Sequence, residues 1–228
     1  MPEDHPELLG EVLDLFPSPW IHIGGDEATK DQWKANPKIQ ARIKELGLKD
    51  EAELQSWFIK QMDGYLTSKG RRLIGWDEIL EGGVADNATV MAWRDINHAM
   101  AAARSGHDAV MTPTSHTYLD YYQTRDTANE PLNIGGFLPL DKVYSYDPMP
   151  AQLEPEFQKH ILGVQGQLWT EYLQTGRDVE WNAFPRLIAL AEVAWSPQAK
   201  RQYPDFLARL QVHLQRLKIL DVNFHPLG

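Results

Sequence analysis

Short apolar runs alternate with longer amphipathic stretches along this chain, and this alternation predicts its fold. The apolar runs are typical of buried strands and lie at 20–23, 72–75, 88–93, 108–112 and 161–166. Apolar residues at helical spacing predict helices over 7–16 and 51–69. Further helices are predicted over the strongly charged stretch 31–47, the Ala-rich stretch 95–105, and the stretches 181–194 and 204–218. Strands that alternate with helices indicate right-handed βαβ units, so we expect an α/β fold with a parallel sheet.

Two of the helices carry enough apolar side chains to define a buried face. In the helix over 7–16 this face consists of Leu8, Leu9, Val12, Leu13 and Phe16. In the helix over 51–69 it consists of Leu54, Trp57, Phe58, Met62 and Leu66. Gly70 follows that helix as a predicted C-cap, because glycine adopts the left-handed conformation readily.

Polar and aromatic residues follow the apolar runs, at the carboxyl end of each predicted strand. The first strand leads through two glycines into Asp26 and Glu27. The later strands lead into Trp76-Asp77-Glu78, Trp93-Arg94-Asp95, a loop with Tyr118-Leu119-Asp120-Tyr121-Tyr122-Gln123, and Trp169-Thr170-Glu171. Barrel enzymes and open α/β sheets place their active sites at this end of the strands, so we expect these residues to converge on one rim.

The adjacent carboxylates of Asp26 and Glu27 have the chemistry that glycoside cleavage requires. In extended backbone neighbouring side chains point to opposite sides, so Gly24 and Gly25 must kink the chain to bring both into one pocket. Two like charges held close cannot both ionise freely, which leaves one proton donor and one fixed negative charge. The alternative interpretation is that the pair caps a following helix.

Composition excludes several classes of function. The chain has 228 residues, of which 43% are hydrophobic, enough for a single domain over 1–228 or part of an α/β barrel. The formal net charge of −10 argues against nucleic acid or an anionic membrane as partner. There is no cysteine, and no histidine joins the carboxylates at metal-ligand spacing, so we expect neither cofactor nor metal. We also expect a soluble protein, cytoplasmic if Met1 is the natural start.

The motifs together resemble those of a known enzyme family. The segment His22-Ile23-Gly24-Gly25-Asp26-Glu27 is similar to the signature of the β-N-acetylhexosaminidases, the family 20 glycoside hydrolases. In the order of that family follow Gly75-Trp76-Asp77-Glu78, Trp93-Arg94, Tyr118-Leu119-Asp120 and Trp169-Thr170-Glu171. The resemblance covers nearly the whole chain and implies a partial (β/α)8 TIM barrel, with about five parallel strands that correspond to strands 4–8.

The resemblance implies a substrate-assisted retaining mechanism, in which the sugar's own 2-acetamido oxygen is the nucleophile. Glu27 would then be the general acid and later the base. Asp26 would hold the acetamido N–H and stabilise the oxazolinium-like intermediate, and the Tyr118 hydroxyl would donate to the acetamido oxygen. The substrate would be an amino-sugar oligosaccharide or glycoside.

The resemblance also implies a set of substrate-binding residues. Trp76, Trp93 and Trp169 would wall the sugar pocket, with ordinary core packing as the alternative. Asp120 and Glu171 would accept hydrogen bonds from the O4 and O6 hydroxyls, with solvated loop carboxylates as the alternative. Three further residues stay open between site and structure: His22, Asp77 and Glu78.

The resemblance does not include the first three barrel strands of the family. It also does not include the arginine of the first strand, which in the family holds the sugar's O3 and O4. We therefore expect self-association into a homo-oligomer that covers the open sheet edges. Two alternatives to the leading hypothesis follow. One is an inactive half-barrel that binds amino sugars or only assembles. The other is a conventional two-carboxylate glycosidase that uses Glu27 with Asp77 or Glu78.

Overall fold

The computed structural model describes residues 4–227 and confirms the alternation of strands and helices. The five strands are β1 (Trp20–His22), β2 (Arg72–Trp76), β3 (Thr89–Ala92), β4 (Ala109–Met111) and β5 (Ile161–Val164). The ten α-helices among these residues are α1 (Asp4–Leu15), α2 (Asp31–Ala35), α3 (Pro37–Glu45), α4 (Glu51–Ser68), α5 (Ile96–Arg104), α6 (Thr114–Thr117), α7 (Leu140–Tyr144), α8 (Gly176–Ala183), α9 (Arg186–Trp195) and α10 (Tyr203–Ile219). None of these helices combines the length and the apolar character that crossing a membrane requires.

The strands form one sheet in the order β1-β2-β3-β4-β5. The first three pair in parallel, with Ile21 opposite Leu73 and Gly75 opposite Val90. Since each strand follows its neighbour in sequence as well as in space, the connections between strands run in one direction around the sheet. This is the order expected of consecutive strands of a barrel.

The chain divides into two compact units. The first contains the described residues up to Trp93, together with Asn97–Val110 and Pro155–Leu162. Its core is formed where α4 packs against β2, the strand that pairs with β3, and Leu66, Leu73 and Val90 are fully buried there. Helix α4 begins at an Asp50 cap that accepts a hydrogen bond from the Glu53 amide at 3.0 Å.

The second unit contains Arg94–Ile96, Met111–Glu154 and the described residues from Gly163 onward. Helices α7, α9 and α10 form its core, where Val143, Ala189 and Phe206 are buried. Beside this core the Tyr144 hydroxyl donates to Glu192 at 2.8 Å. The organisation of 1–228 as a single domain stays a prediction.

Two predicted helices are each split in the structure. The stretch 31–47 breaks at Asn36, which has an extended backbone and whose side-chain Oδ1 caps α3 by accepting a hydrogen bond from the Lys38 amide at 3.0 Å. The stretch predicted at 181–194 falls on α8 and α9, because Pro185 follows the end of α8 and starts a new helix.

The predicted buried faces of two helices are partly wrong. On α4, Leu54 and Leu66 are buried, but Phe58 is 38% exposed, whereas Gln55 and Ser56 are buried. The reason is that these two polar side chains face neighbouring loops and bind their backbone carbonyls, which rotates the buried face away from Phe58. On α1, Leu8 is exposed while Leu9, Val12 and Leu13 are partly buried, and Phe16, which follows the end of the helix, is exposed as well.

Candidate active site

The carboxylate pair of the first unit lies on a turn that begins where β1 ends. The Ile23 amide still donates to Ile74 of β2 at 3.0 Å, and then the backbone takes positive φ angles at Gly24 (75°) and Gly25 (103°). Glu27 also has a positive φ, 49°, which is uncommon for a residue with a side chain. Backbone strain of this kind is concentrated at functional sites, so the turn is a candidate for one.

Close packing requires glycine at Gly25 and at Gly75 of β2, whereas at Gly24 it is the positive φ that favours glycine. A Cβ atom on Gly25 would lie 2.8 Å from Cγ2 of the buried Ile79. A Cβ atom on Gly75 of β2 would lie 2.9 Å from the carbonyl oxygen of Gly24. That same oxygen accepts a hydrogen bond from the Trp76 amide at 2.9 Å, so the turn is seated directly on the end of β2.

Asp26 and Glu27 are both exposed, and neither caps a helix. The next helix, α2, begins at Asp31 with Lys30 at its N-cap position. The helix-cap interpretation of the pair is therefore wrong. That one of the two carboxyls keeps its proton stays a prediction.

His22 is neutral and holds the start of the turn. The Gly24 amide donates a hydrogen bond to Nδ1 of His22 at 3.0 Å, and because an amide N–H can only donate, Nδ1 carries no proton. The ring packs on Trp76 with the ring centroids 4.7 Å apart. Desolvation lowers the pKa of His22, while the nearby Asp26 charge opposes the shift. This position, open in the sequence, therefore supports the turn that carries the acid pair.

A clamp from α4 holds the same turn, and sequence reasoning missed it. The side-chain amide of Gln55 donates to the Gly25 carbonyl at 2.9 Å, and its oxygen accepts from the Lys30 ammonium. Lys30 in turn donates to the Ala28 carbonyl at 2.6 Å. The signal in the sequence was a polar residue at a buried position of an amphipathic helix, which requires a hydrogen-bond partner.

Asp77 and Glu78 fix the position of Trp93. The Trp93 amide donates to Oδ2 of Asp77 at 3.0 Å, and its indole N–H donates to Oε2 of Glu78 at 2.9 Å. Asp77 is fully buried and Glu78 nearly so, while Trp93 is half-buried. His98 approaches the same Asp77 oxygen at 3.7 Å. Both carboxylates, whose roles the sequence left open, therefore support an aromatic side chain.

In the second unit, two backbone hydrogen bonds bring the Tyr118 segment beside Gln167. The Leu119 amide donates to the Gln167 carbonyl at 2.7 Å, and the Gln167 amide donates to the Thr117 carbonyl at 2.8 Å. Tyr118 is buried, and its ring contacts that of Tyr121 with the centroids 5.6 Å apart. Trp169, two residues beyond Gln167, is 39% exposed, and Glu171 is exposed as well.

Asp120 lies next to Tyr118 in a buried position. Only 3% of it is exposed, and Oδ1 is buried without a hydrogen-bond partner among residues 4–227. Desolvation raises the pKa of Asp120 to about 6, and the Glu171 charge adds to the increase, while a backbone hydrogen bond and Arg186 oppose it. A buried carboxylate oxygen without a partner is well suited to accept a hydrogen bond from a ligand.

Arg186 supports the segment that carries Asp120 by binding its backbone, and sequence reasoning missed this residue too. Its guanidinium is fully buried and donates to the carbonyl oxygens of Leu138 and Asn182 at 2.8 Å each, and also to that of Leu119. Burial lowers the pKa of Arg186 to about 9. An arginine that opens the apolar run of α9 was the signal, because a buried charge requires partners.

Within residues 4–227, no group of three or more histidine, cysteine, aspartate or glutamate side chains could hold a metal ion.

The first unit supplies two exposed carboxylates on a strained turn, with Trp76 and Trp93 in supported positions. The second unit supplies a tyrosine and a buried carboxylate, with Trp169 and Glu171 exposed. Carboxylates combined with aromatic rings are the groups that bind and cleave glycosides.

Comparison with known protein families decides the relationship. The model of the glycosyl hydrolase family 20 catalytic domain matches residues 5–198. The chain belongs to glycosyl hydrolase family 20. Over 220 residues it is 49% identical to a β-hexosaminidase of Porphyromonas gingivalis, a match that covers 96% of this chain and 28% of the relative. A β-hexosaminidase of Vibrio furnissii is 36% identical over 186 residues, which cover 81% of this chain and 30% of the relative.

Solved structures of family 20 enzymes confirm the expected fold. The exo-β-N-acetylglucosaminidase of Vibrio harveyi in complex with N-acetylglucosamine superimposes with a TM-score of 0.85 at 34% identity, over 97% of this chain and 35% of that one. The β-N-acetylhexosaminidase of Streptomyces coelicolor superimposes with a TM-score of 0.79 at 26% identity, over 98% of this chain and 42% of that one. The partial barrel predicted from the resemblance is therefore confirmed, and the chain spans well under half the length of these relatives.

Proposed function

We propose that this family 20 chain hydrolyses terminal, non-reducing β-linked N-acetylglucosamine or N-acetylgalactosamine by substrate-assisted retaining catalysis. The observation that carries the proposal is the exposed Asp26-Glu27 pair on the strained glycine turn after β1. The names of the relatives, β-hexosaminidase and β-N-acetylhexosaminidase, support the choice of substrate class.

Glu27 is the proton donor and acceptor in this proposal. In the first step the acetamido carbonyl oxygen attacks C1 of the sugar as the glycosidic bond breaks, and the leaving oxygen takes the Glu27 proton. In the second step the Glu27 carboxylate takes a proton from water, whose oxygen attacks C1 and opens the cyclic intermediate. Two inversions at C1 give net retention. The exposure of Glu27 supports this role, because both the leaving group and the water arrive from solvent.

Asp26 and Tyr118 orient the acetamido group in the proposed mechanism. The Asp26 carboxylate accepts the acetamido N–H and offsets the positive charge that develops on the cyclic intermediate. The Tyr118 hydroxyl donates to the acetamido oxygen, which keeps the oxygen aimed at C1. Rigid supports are needed for such alignment, and the short hydrogen bonds around Leu119 and Gln167 provide one for Tyr118.

The remaining residues bind the sugar in this proposal. Trp76, Trp93 and Trp169 present aromatic surface to the sugar ring and the acetamido methyl group. Asp120 and Glu171 accept hydrogen bonds from the O4 and O6 hydroxyls. The unsatisfied Oδ1 of Asp120 supports its part, because a buried acceptor gains most from a hydroxyl donor.

The contacts of Asp77 and Glu78 disfavour the conventional two-carboxylate mechanism. A nucleophilic carboxylate must reach C1 of the sugar, yet an oxygen of each of these residues is bound to the Trp93 amide or indole. Asp77 is moreover fully buried. Their support of Trp93 instead suits a binding wall for the sugar.

The first test is hydrolysis of an aryl β-N-acetylglucosaminide by the purified chain, beside the matching plain glucoside. We expect cleavage of the N-acetyl substrate alone, because only the assisted mechanism requires the 2-acetamido group. A Glu27→Gln variant should lose activity by about 100-fold or more, since general acid–base catalysis contributes about 10²–10⁴. Glu45→Gln removes an exposed carboxylate on α3 and serves as the matched control.

Inhibition by a thiazoline that mimics the cyclic intermediate sharpens the test. Cleavage of the plain glucoside at a similar rate would overturn the assisted mechanism in favour of the two-carboxylate alternative. Binding of N-acetylglucosamine without any turnover would instead favour the sugar-binding half-barrel. Self-association stays a prediction, and sedimentation of the same sample measures it.

A further inference from the structure

We propose that Gln55 of α4 is a positioning residue for the Asp26-Glu27 pair, and that it acts together with Lys30 as a clamp on the turn. This inference rests on the proposed function and extends it to residues that touch neither substrate nor the reacting atoms. All four residues belong to the first compact unit.

The hydrogen bonds of Gln55 enclose the acid pair along the chain. On one side its amide donates to the carbonyl of Gly25, the residue before Asp26, at 2.9 Å. On the other side its oxygen accepts from Lys30, three residues after Glu27. The two carboxylates are therefore held at both ends of a six-residue span by a single side chain.

The burial of Gln55 makes this clamp rigid. Only 6% of the residue is exposed, and it projects from the second turn of an 18-residue helix whose Leu54 and Ile59 are packed in the core. Buried polar side chains adopt one arrangement when both of their polar ends are satisfied. A side chain of this kind holds the turn in a fixed position relative to α4.

The turn requires such a support because its backbone is strained. Glu27 has a positive φ angle, which strains a residue with a side chain, and a strained conformation persists only where surrounding contacts over-determine it. Lys30 adds a bond to the Ala28 carbonyl at 2.6 Å, so the clamp satisfies backbone carbonyls on both sides of Glu27. Misplacement of a catalytic group by about 1 Å costs about 100-fold in rate.

The test uses the whole chain with three substitutions. Gln55→Leu removes both bonds while it keeps an apolar side chain of similar size. Gln55→Glu keeps the acceptor for Lys30 and removes the donor to Gly25. Ser56→Ala is the matched control, because Ser56 is the next residue of α4, is equally buried, and donates to the carbonyl of a different loop at Gly83.

The first readout is hydrogen exchange of the backbone amides between Gly24 and Lys30, which requires no activity. We expect exchange to rise at least 10-fold in Gln55→Leu, to a smaller extent in Gln55→Glu, and to stay unchanged in Ser56→Ala. Equal exchange of the turn in Gln55→Leu and Ser56→Ala would overturn the clamp. This result is independent of the proposed function, which fails separately if the unsubstituted chain cleaves no N-acetyl substrate.

The second readout separates positioning of the acid from general loss of structure. An aryl leaving group such as 2,4-dinitrophenolate departs without a proton, whereas a sugar leaving group requires one. We expect Gln55→Leu to lower kcat about 10-fold or more for the disaccharide of β-linked N-acetylglucosamine, with KM changed less than about 3-fold. The loss on the dinitrophenyl glycoside should be smaller, because that substrate needs Asp26 and the base role of Glu27 but not the Glu27 proton. Equal losses on both substrates would contradict a role in positioning Glu27.

Discussion

The two units place their carboxylates by opposite physical means. In the first unit Asp26 and Glu27 are exposed, and the conformation of the backbone sets their position through two glycines and the Gln55 clamp. In the second unit Asp120 is buried, and its pKa is raised by desolvation and the Glu171 charge, while a backbone hydrogen bond and the Arg186 charge oppose the increase. One carboxylate pair is controlled by geometry, and the other carboxylate is controlled by desolvation and charge.

The difference corresponds to the work proposed for each group. A proton donor that serves first a leaving group and then water must be in contact with solvent. Its position therefore cannot be set by burial and must be set by the conformation of the backbone. A carboxylate that accepts a hydrogen bond from one sugar hydroxyl gains selectivity from burial, because an unmet acceptor penalises a substrate without that hydroxyl. Substitutions that disrupt the glycine turn of the first unit and substitutions that disrupt the buried charges of the second unit should therefore have different effects on stability.

The largest expected effect on stability comes from the buried cation of the second unit. Arg186→Met leaves three backbone carbonyls without donors, each at a cost of about 1 kcal/mol, so we expect a loss of about 3 kcal/mol in the free energy of unfolding. Urea denaturation measures this loss. Arg177→Met is the control, since that side chain is 60% exposed and lies 3.7 Å from Asp221, so its removal should cost less than about 0.5 kcal/mol. Similar losses in both variants would contradict the supporting role of Arg186.

The next effect is a pH dependence that originates in Asp120. Its folded pKa, about 6, lies above the ordinary 3.8, so the folded state binds the extra proton and stability falls as pH rises between these values. The expected fall between these values is about 2 kcal/mol, and the curve levels off above about pH 7, where the folded carboxyl is fully ionised. Asp120→Asn should abolish this fall, as followed by urea midpoints from pH 4 to 7. An Asp205→Asn variant, with an exposed carboxylate replaced, should retain it.

The smallest effect compares two glycines that both have positive φ. Gly25→Ala combines backbone strain with a Cβ 2.8 Å from Ile79, whereas Gly47→Ala, at a φ of 68°, meets no atom within 4 Å. We expect Gly25→Ala to cost about 1 kcal/mol more than Gly47→Ala, which itself costs about 1 kcal/mol. Thermal unfolding gives both values. If the two substitutions cost the same, the packing of the turn on Ile79 contributes nothing.

The sequence predicted the strands well because their signal is local. Apolar, β-branched runs ending in glycine or aromatic residues correspond to β1 through β5 within a few positions. Two stretches were wrongly predicted as single continuous helices, because the turn signals at Asn36 and Pro185 inside them were not used to divide them.

The candidate site was predictable only where its residues form a motif. Asp26 and Glu27 stand out because they follow two glycines. Gln55 and Arg186 could not be assigned, because each acts through a partner about 30 or more positions away that only the folded chain brings close. A polar residue within an apolar face shows that a partner exists and leaves its identity open.

The contact between the turn and the end of β2 has a consequence for how this protein can change over evolutionary time. Gly25, Gly75 and Ile79 fill a shared volume so closely that a methyl group added at either glycine meets Ile79. Two stretches some fifty residues apart therefore cannot change independently, and the packing cost of a larger residue at Gly25 falls only after Ile79 has become smaller. Random mutagenesis should recover replacements of Gly25 and Ile79 as linked pairs, and a map of tolerated substitutions should show few single replacements at these three positions.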